Sequence, residues 1–409
     1  MKWAEGIDKL GIFLYIAISL FAVANIYSVD EGLGKKQFFF FCLSIFIGFI
    51  IFVMRTKVFE NFAGIFYIGG VLLLVGLFPF GTEILGQRNW YKFGGFTMQP
   101  VEFAKLGTAL MLANYVSGPD FNLKHRKSLF TSLVIIGIPA VVVLAIPDVG
   151  SLLVFMAFMM ALYREGLNGW FFGAIGILAT VFLISLAVNP IYVVIGILAI
   201  VGIFIFMNYY RMSWNIFSIA SIVGIVAVLS GLAMGAPKIL EKMPKHQRER
   251  IEVLYKGEKA FRDTSGYNLL YSKTAIGSGG FFGKGYKEGS VTQGKFVPEQ
   301  ETDYIFCTVG EEWGFLGSLI LVLGYALYIG RIYYLSENMK SVFNRVFGYC
   351  FASILLIHFA INLGMVMGLF PTVGIPLPYF SYGGSSFLAF SIMTAIFFKL
   401  NYADKNSLV

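Results

Sequence analysis

The chain has 409 residues, 57% of them hydrophobic and only 13% charged, with a formal net charge of +8 and a mean hydropathy of +0.76. Soluble domains carry about 25% charged residues, so the composition excludes a water-soluble globular protein and points to a bilayer. The cysteines Cys42, Cys307 and Cys350 follow no CxxC or metal spacing and the three histidines are scattered, so neither a disulfide framework nor a zinc site is expected. The positive charge is spread over many short loops rather than gathered in one patch, which argues against a nucleic-acid partner.

Crossing the hydrocarbon core takes about 20 apolar residues as a helix. Twelve such segments are predicted in chain order: 11–29, 37–54, 60–80, 101–116, 128–146, 150–163, 169–187, 190–208, 214–235, 314–334, 346–369 and 380–399. The head Met1–Lys9 has no transit-peptide or cleavable-signal pattern, so the first segment is expected to stay as a span. The 150–163 segment is short, and is expected either to be re-entrant or to be completed by its neighbours. Lys2, Lys9, Arg55, Lys57, Lys124, Arg126, Lys127, Arg164, Arg211, Arg331, Lys340, Arg345, Lys399 and Lys405 all fall on one side of this pattern. The connections near 147–149, 188–190 and 370–379 carry no Lys or Arg. The positive-inside rule then puts both termini in the cytoplasm and the segments 81–99 and 236–313 outside. The expected organisation is an all-α polytopic membrane protein: a helical bundle over 1–235, a long extracytoplasmic loop over 236–313 and C-terminal membrane helices over 314–409.

The candidate chemistry lies where charge meets this apolar frame. Glu102 and Lys105 enter the fourth segment behind Pro100, and their i, i+3 spacing puts them on one helix face. They line a polar cavity or pair with each other. Asp148, in Pro147-Asp148-Val149-Gly150-Ser151, is either a helix cap or a site residue. Gly277–Gly285 is glycine-rich but lacks the Walker pattern, having Ser278 and Gly285 where Gly and Ser or Thr are required. A turn that offers N–H groups to a pyrophosphate is the alternative. Arg248 and Arg250, in His246-Gln247-Arg248-Glu249-Arg250-Ile251, belong to a solvated helix face or hold a diphosphate by bidentate contacts.

The densest acidic strip is Pro298–Ser318, with Asp303 near its centre and Glu311 and Glu312 close to the tenth span. Acids at a membrane boundary are functional candidates, and a carboxylate shielded by aromatic residues can act as general base. For Glu311 and Glu312 the simpler expectation is attraction to the positive end of the following helix. Ser385 and Ser386 follow a Pro-broken segment, where small hydroxylated residues allow close packing or line a groove for a polar ligand.

Taken in order, these strings resemble the SEDS family of bacterial cell-wall polymerases, the RodA/FtsW/SpoVE group. They are Gln99-Pro100-x-Glu102, Pro147-Asp148-x-Gly150, His246-Gln247-Arg248-x-Arg250-Ile251, Gly266-Tyr267-Asn268, Ala275–Gly280, Gly283-Lys284-Gly285, Pro298-Glu299-Gln300-x-Thr302-Asp303-Tyr304-Ile305-Phe306, Gly310-Glu311-Glu312 and Ser381–Ser386. The Gly-Lys-Gly turn, Thr292-Gln293 and the Pro-Glu-Gln lead-in are closer to the elongation branch (RodA) than to the division branch (FtsW).

The resemblance implies a peptidoglycan glycosyltransferase that polymerises lipid II, on an undecaprenyl-diphosphate glycan, at the outer face of the bacterial inner membrane. Asp303 would be its essential acid, either as base or as ligand of a divalent cation such as Mg²⁺ or Mn²⁺, with no organic cofactor. Glu102, Lys105, Asp148, Arg248, Arg250, Ser385 and Ser386 would serve the substrate. A class B penicillin-binding protein and elongation proteins of the MreC/MreD type are the implied partners. Three departures stand out: Glu301 replaces the family's usual His, Val101 replaces Ser, and twelve spans replace ten, the surplus pair being 169–187 with 190–208. A lipid II flippase or other transporter, and a scaffold for the crosslinking enzyme, are the rival readings.

Overall fold

The computed structural model describes residues 6–84, 87–94, 96–211 and 214–406. Lys2, part of the charge pattern above, lies outside the described residues. The first helices are α1 (Lys9–Val29), α2 (Glu31–Val53), α3 (Lys57–Asn61), α4 (Ala63–Val75), α5 (Leu77–Phe80), α6 (Pro100–Val116), α7 (Arg126–Ala145), α8 (Val149–Phe155) and α9 (Ala157–Arg164). Then come α10 (Trp170–Ala187), α11 (Pro190–Asn208), α12 (Ile216–Lys242), α13 (Lys245–Lys256), α14 (Tyr267–Ser278) and α15 (Ser290–Gln293). The last four are α16 (Ile305–Glu312), α17 (Gly314–Glu337), α18 (Val342–Met367) and α19 (Gly384–Asn406).

Short polar side chains mark where helices begin. Asp8 Oδ1 accepts from Gly11 N at 2.7 Å and Asp30 Oδ1 from Leu33 N at 3.0 Å, capping α1 and α2. Asn215 and Ser341 cap α12 and α18 in the same way. Among the described residues ten helices are long and apolar enough to cross a bilayer, with 63–80 taken as one. This is a multi-pass membrane protein. The other two predicted spans are present as shorter helices: α6 has 17 residues, and the 149–164 segment is interrupted at Met156. Most of α6 is buried by protein, so it needs neither full bilayer length nor a lipid-facing stripe.

The chain divides into two compact units, one of Met1–Leu167 with Tyr271–Val409, the other of Asn168–Leu270. Residues 236–313 are shared between them. In the first unit α18 is the central element, packed by α6, α9, α17 and α19, and 72% of its apolar window is buried. The second unit holds α10–α13, with α10 and α11 (the surplus pair) each against α12. Only 6% of each of these three windows is buried, as expected of helices whose apolar side chains meet lipid.

The connection 81–99 carries a three-stranded antiparallel sheet, of β1 (Thr82–Ile84), β2 (Gln87–Phe93) and β3 (Phe96–Met98) in that order. Helical periodicity gave no sign of it. The signal is period-two: Asn89 and Tyr91 are buried while Arg88 and Lys92 are exposed.

Helices α4 and α6 approach through glycine. A Cβ on Gly70 would lie 2.9 Å from Ala104 Cα, and one on Gly107 2.6 Å from the Phe66 carbonyl oxygen. Small residues let membrane helices come this close. Gly107→Val is therefore predicted to destabilise the fold by about 2 kcal/mol, read as an earlier thermal unfolding transition in detergent. An unchanged transition would mean that the α4–α6 contact is loose.

Candidate functional site

The site is built around a strap of irregular backbone, residues 369–383, between α18 and α19. Helix α18 presents two polar residues to it one turn apart, His358 and Asn362, both buried. His358 Nδ1 lies 3.0 Å from the Pro376 carbonyl and Nε2 lies 2.8 Å from Lys105 Nζ. A carbonyl only accepts and an ammonium only donates, so Nδ1 carries the hydrogen and Nε2 receives one from Lys105. Asn362 Nδ2 donates to the Ile375 carbonyl at 2.7 Å and to the Asp303 carbonyl at 2.9 Å.

Asp303 sits on the turn that leads into α16, and three successive carbonyls of that turn are held. Glu301 O accepts from Tyr382 N at 2.8 Å, Thr302 O from Ser381 Oγ at 2.6 Å, and Asp303 O from Asn362. The next residue, Tyr304, shares a 2.8 Å hydrogen bond with Thr372. The Asp303 side chain is half-buried. Its Oδ2 would be 3.3 Å from a Cβ on Gly374, whose φ of +70° is of the left-handed kind that suits glycine. The carboxylate is thus carried on a fixed backbone against a bare stretch of main chain.

Glu102 and Lys105 pair with each other. Lys105 Nζ is 2.8 Å from both carboxylate oxygens, with hydrogen-bond alignment to Oε1, and it lies over the Phe390 ring at 5.5 Å. Both side chains are fully buried. Asp148 caps α8, accepting from Ser151 N at 2.9 Å and Ser151 Oγ at 2.8 Å, and also accepts from Asn89 of β2 at 3.0 Å. Burial pushes its carboxyl above the usual range, against the lowering effects of Ser151 and the Lys105 charge. At Gly150 a Cβ would collide with the Val373 carbonyl, which brings this corner against the strap. Ser385 Oγ accepts from Gln99 N at 3.1 Å, joining the starts of α19 and α6.

Asp303, Glu102, Lys105, Asp148 and Ser385 therefore all meet elements bound to the one strap, and Ser386 is half-buried beside Ser385. Arg248 and Arg250 belong to α13 of the second unit. There Arg248 Nε is 3.9 Å from Glu252, and Arg248 lines a cavity of about 400 Å³ with Glu241, Glu252, Tyr255 and Lys256. The sequence reading missed His358 and Asn362, and quoted Ser381 in the Ser381–Ser386 string without a role of its own. The signal for the first two was available: polar residues at i, i+4 inside the apolar stretch 342–367.

Two expectations about the outer loop are corrected. The Gly283–Gly285 turn does not offer its N–H groups to an anion. Lys284 N and Gly285 N donate to the Glu311 and Glu312 carbonyls at 2.9 and 3.1 Å. Glu311 and Glu312 are not placed by the start of α17 either; they end α16 and hold the loop. Glu311 accepts from Lys284 Nζ at 2.6 Å, Val291 N at 2.9 Å and Thr292 N and Oγ1 at 2.7 Å. Glu312 accepts from Ser28 Oγ and from Gln293 Nε2 at 3.0 Å. Burial works against the Glu311 charge, but the bonds from Lys284, Val291 and Thr292 outweigh it and hold its carboxyl below the usual range.

The fold and this constellation define a polytopic membrane protein with an acid at the edge of a helical bundle. The family model for FtsW, RodA and SpoVE, described as "Cell cycle protein", matches residues 4–197 and 191–406, and the chain belongs to that family. It is 28% identical over 386 residues to the peptidoglycan glycosyltransferase MrdB of Escherichia coli K12, covering 93% of this chain and 90% of that protein. It is 26% identical to the peptidoglycan glycosyltransferase RodA of Treponema pallidum, over 84% and 83% of the two chains. Among solved structures, Thermus thermophilus RodA superposes with a TM-score of 0.63 at 22% identity, covering 97% of each chain. A chain from a structure on the coordination of polymerization and crosslinking by a peptidoglycan synthase complex gives 0.70 at 22% identity, over 97% and 98%. These structural likenesses extend the fold assignment to nearly the whole chain.

Two predictions follow from the charges. Lys105→Met leaves Glu102 buried without its cation and is predicted to cost about 4 kcal/mol, whereas Glu102→Gln with Lys105→Met recovers most of the loss. Equal unfolding transitions for the single and double variants would contradict the pairing. For Glu311 the folded carboxyl titrates below its ordinary 4.5, so its contribution is present above that pH and is lost as pH falls through the lower folded value. Glu311→Gln should therefore destabilise at neutral pH, by an amount that shrinks on acidification below about 4.5. A pH-independent difference in thermal unfolding would refute this.

Proposed function

We propose that the chain is a peptidoglycan glycosyltransferase of the elongation type, which polymerises lipid II into glycan strands with Asp303 as general base. The observation that carries this reading is the Asp303 turn, whose carboxylate is half-exposed while three consecutive carbonyls beneath it are tied down. A base must be held within about 2.6–3.2 Å of the proton that it takes, and a backbone fixed in this way serves that need.

In the reaction, Asp303 accepts the proton of the acceptor sugar's 4-hydroxyl as that oxygen attacks the anomeric carbon of the growing glycan. The undecaprenyl diphosphate leaves with the bonding electron pair. Cationic side chains offset the charge that develops on it; the Lys105 charge is already paired with Glu102. Asp148, Ser385 and Ser386 shape the surroundings of the strap. The relatives' printed names, peptidoglycan glycosyltransferase MrdB and RodA, support the same reading.

Among the described residues no group of three or more His, Cys, Asp or Glu could hold a metal ion, and Asp303 together with the lipid diphosphate is the donor set that Mg²⁺ or Mn²⁺ would have. If Mg²⁺ or Mn²⁺ takes part, it arrives with the lipid diphosphate, and no step here depends on it. The charge asymmetry of the loops supports an inner-membrane location with cytoplasmic termini and an external active site. A class B penicillin-binding protein is the proposed crosslinking partner, with MreC/MreD-type proteins beyond it. No observation favours the transport reading: Glu102 and Lys105 neutralise each other within the bundle instead of lining a path.

Asp303→Asn is predicted to lower polymerisation of purified lipid II by a factor of about 10²–10⁴ while leaving the thermal unfolding transition in place. Wild-type turnover in this variant would remove Asp303 from the chemistry.

A further inference from the structure

Asp303 is held from below by a side chain that no motif in the chain singled out. Asn362 lies on α18, the most buried of the candidate spans, and is itself 0% exposed. Its two amide hydrogens are divided between the carbonyls of Asp303 and Ile375, at 2.9 and 2.7 Å. Both partners are acceptors, so the amide has one workable orientation: turned over, Oδ1 would face two carbonyl oxygens. In the observed orientation Oδ1 is buried and has no hydrogen-bond partner among the described residues. Leaving a buried acceptor unused is costly. The arrangement thus gives up one bond to secure the two that join the turn to the strap.

The neighbouring contacts extend the same device. One helical turn earlier, His358 holds the adjacent strap carbonyl, Pro376, and connects it to Lys105 and Glu102 on α6. Ser381 and Tyr382 hold the two carbonyls before Asp303, but both belong to the irregular strap itself. Asn362 is the member of this set that ties the Asp303 backbone directly to a membrane helix.

We propose that Asn362 is a positioning residue for the reaction: it fixes the height and orientation of the Asp303 turn over α18 and so sets where the carboxylate meets the acceptor hydroxyl. This rests on the reading of Asp303 as the base. Asn362 does not touch substrate in this account. It acts through Asp303, so its loss lowers kcat and leaves lipid II binding nearly unchanged.

The test uses the full-length chain in detergent with its crosslinking partner, comparing wild type, Asn362→Leu (no donors, similar volume) and Asn362→Ser (one donor). Asn362→Leu is expected to lower kcat for lipid II polymerisation at least tenfold, with KM changed less than twofold, and Asn362→Ser to fall between it and wild type. Hydrogen exchange of the backbone amides provides a readout independent of catalysis. In both variants exchange should accelerate across 299–306 and remain at wild-type rates across 384–406. Wild-type kcat in folded Asn362→Leu, or exchange in 299–306 as slow as in wild type, overturns the proposal. A rise in KM that accounts for the loss of kcat/KM also overturns it, by making Asn362 a substrate-binding residue. If Asn362→Leu does not fold, Asn362→Ser decides by the same criteria. Absence of glycan product from wild type itself would count against the polymerase reading, and the exchange result would still decide whether Asn362 holds the turn.

Discussion

The structure depends on one constraint: inside a bilayer, backbone that leaves the helix must find hydrogen-bond partners within the protein. The strap 369–383 breaks the helical order between α18 and α19, and its carbonyls at 375 and 376 are taken by Asn362 and His358. The Tyr325 hydroxyl meets the Pro378 carbonyl from α17, and Ser381 Oγ accepts from Leu377 N while donating to Thr302 O. Asn362, His358 and Tyr325 are polar groups on otherwise apolar helices. Their placement decides where an irregular segment can lie, and so where an acid can be carried at the edge of the bundle.

Charge is handled by the same logic at two depths. Deep in the bundle, Glu102 and Lys105 cancel each other, and His358 absorbs a remaining donor of the ammonium. In the segment before α17, Glu311 and Glu312 gather the Gly-rich turn and α15 against α16. Glycines make that docking possible. At Gly279 and Gly283 a Cβ would collide with the carbonyls of Gly310 and Glu312. Most of the charged motifs therefore build the frame, and Asp303 is left half-exposed on top of it.

Much of this was legible in the sequence, for identifiable reasons. Apolar runs of span length gave every long helix, because lipid imposes a hydropathy pattern that tertiary packing does not obscure. The order of the short motifs gave the family, which the family model matches over residues 4–197 and 191–406. The roles of the motifs were less visible. Glu311 looked like a partner for the next helix's positive end, but its partners lie some twenty residues earlier in the chain, at Val291 and Thr292. Asn362 and His358 left only a faint trace, two polar positions in an apolar stretch, since spacing along a helix cannot tell which carbonyls it will face. The 82–98 sheet escaped because its strands are short and its alternation covers only a few residues.

The most direct test of the account is a cryo-electron microscopy structure of the Asp303→Asn variant with lipid II trapped in place. The account predicts the acceptor sugar's 4-hydroxyl within about 2.6–3.2 Å of the side-chain oxygen at position 303, with Asn362 still bonded to the carbonyls of residues 303 and 375. An acceptor sugar bound away from residue 303, beyond reach even through a single water, would contradict it.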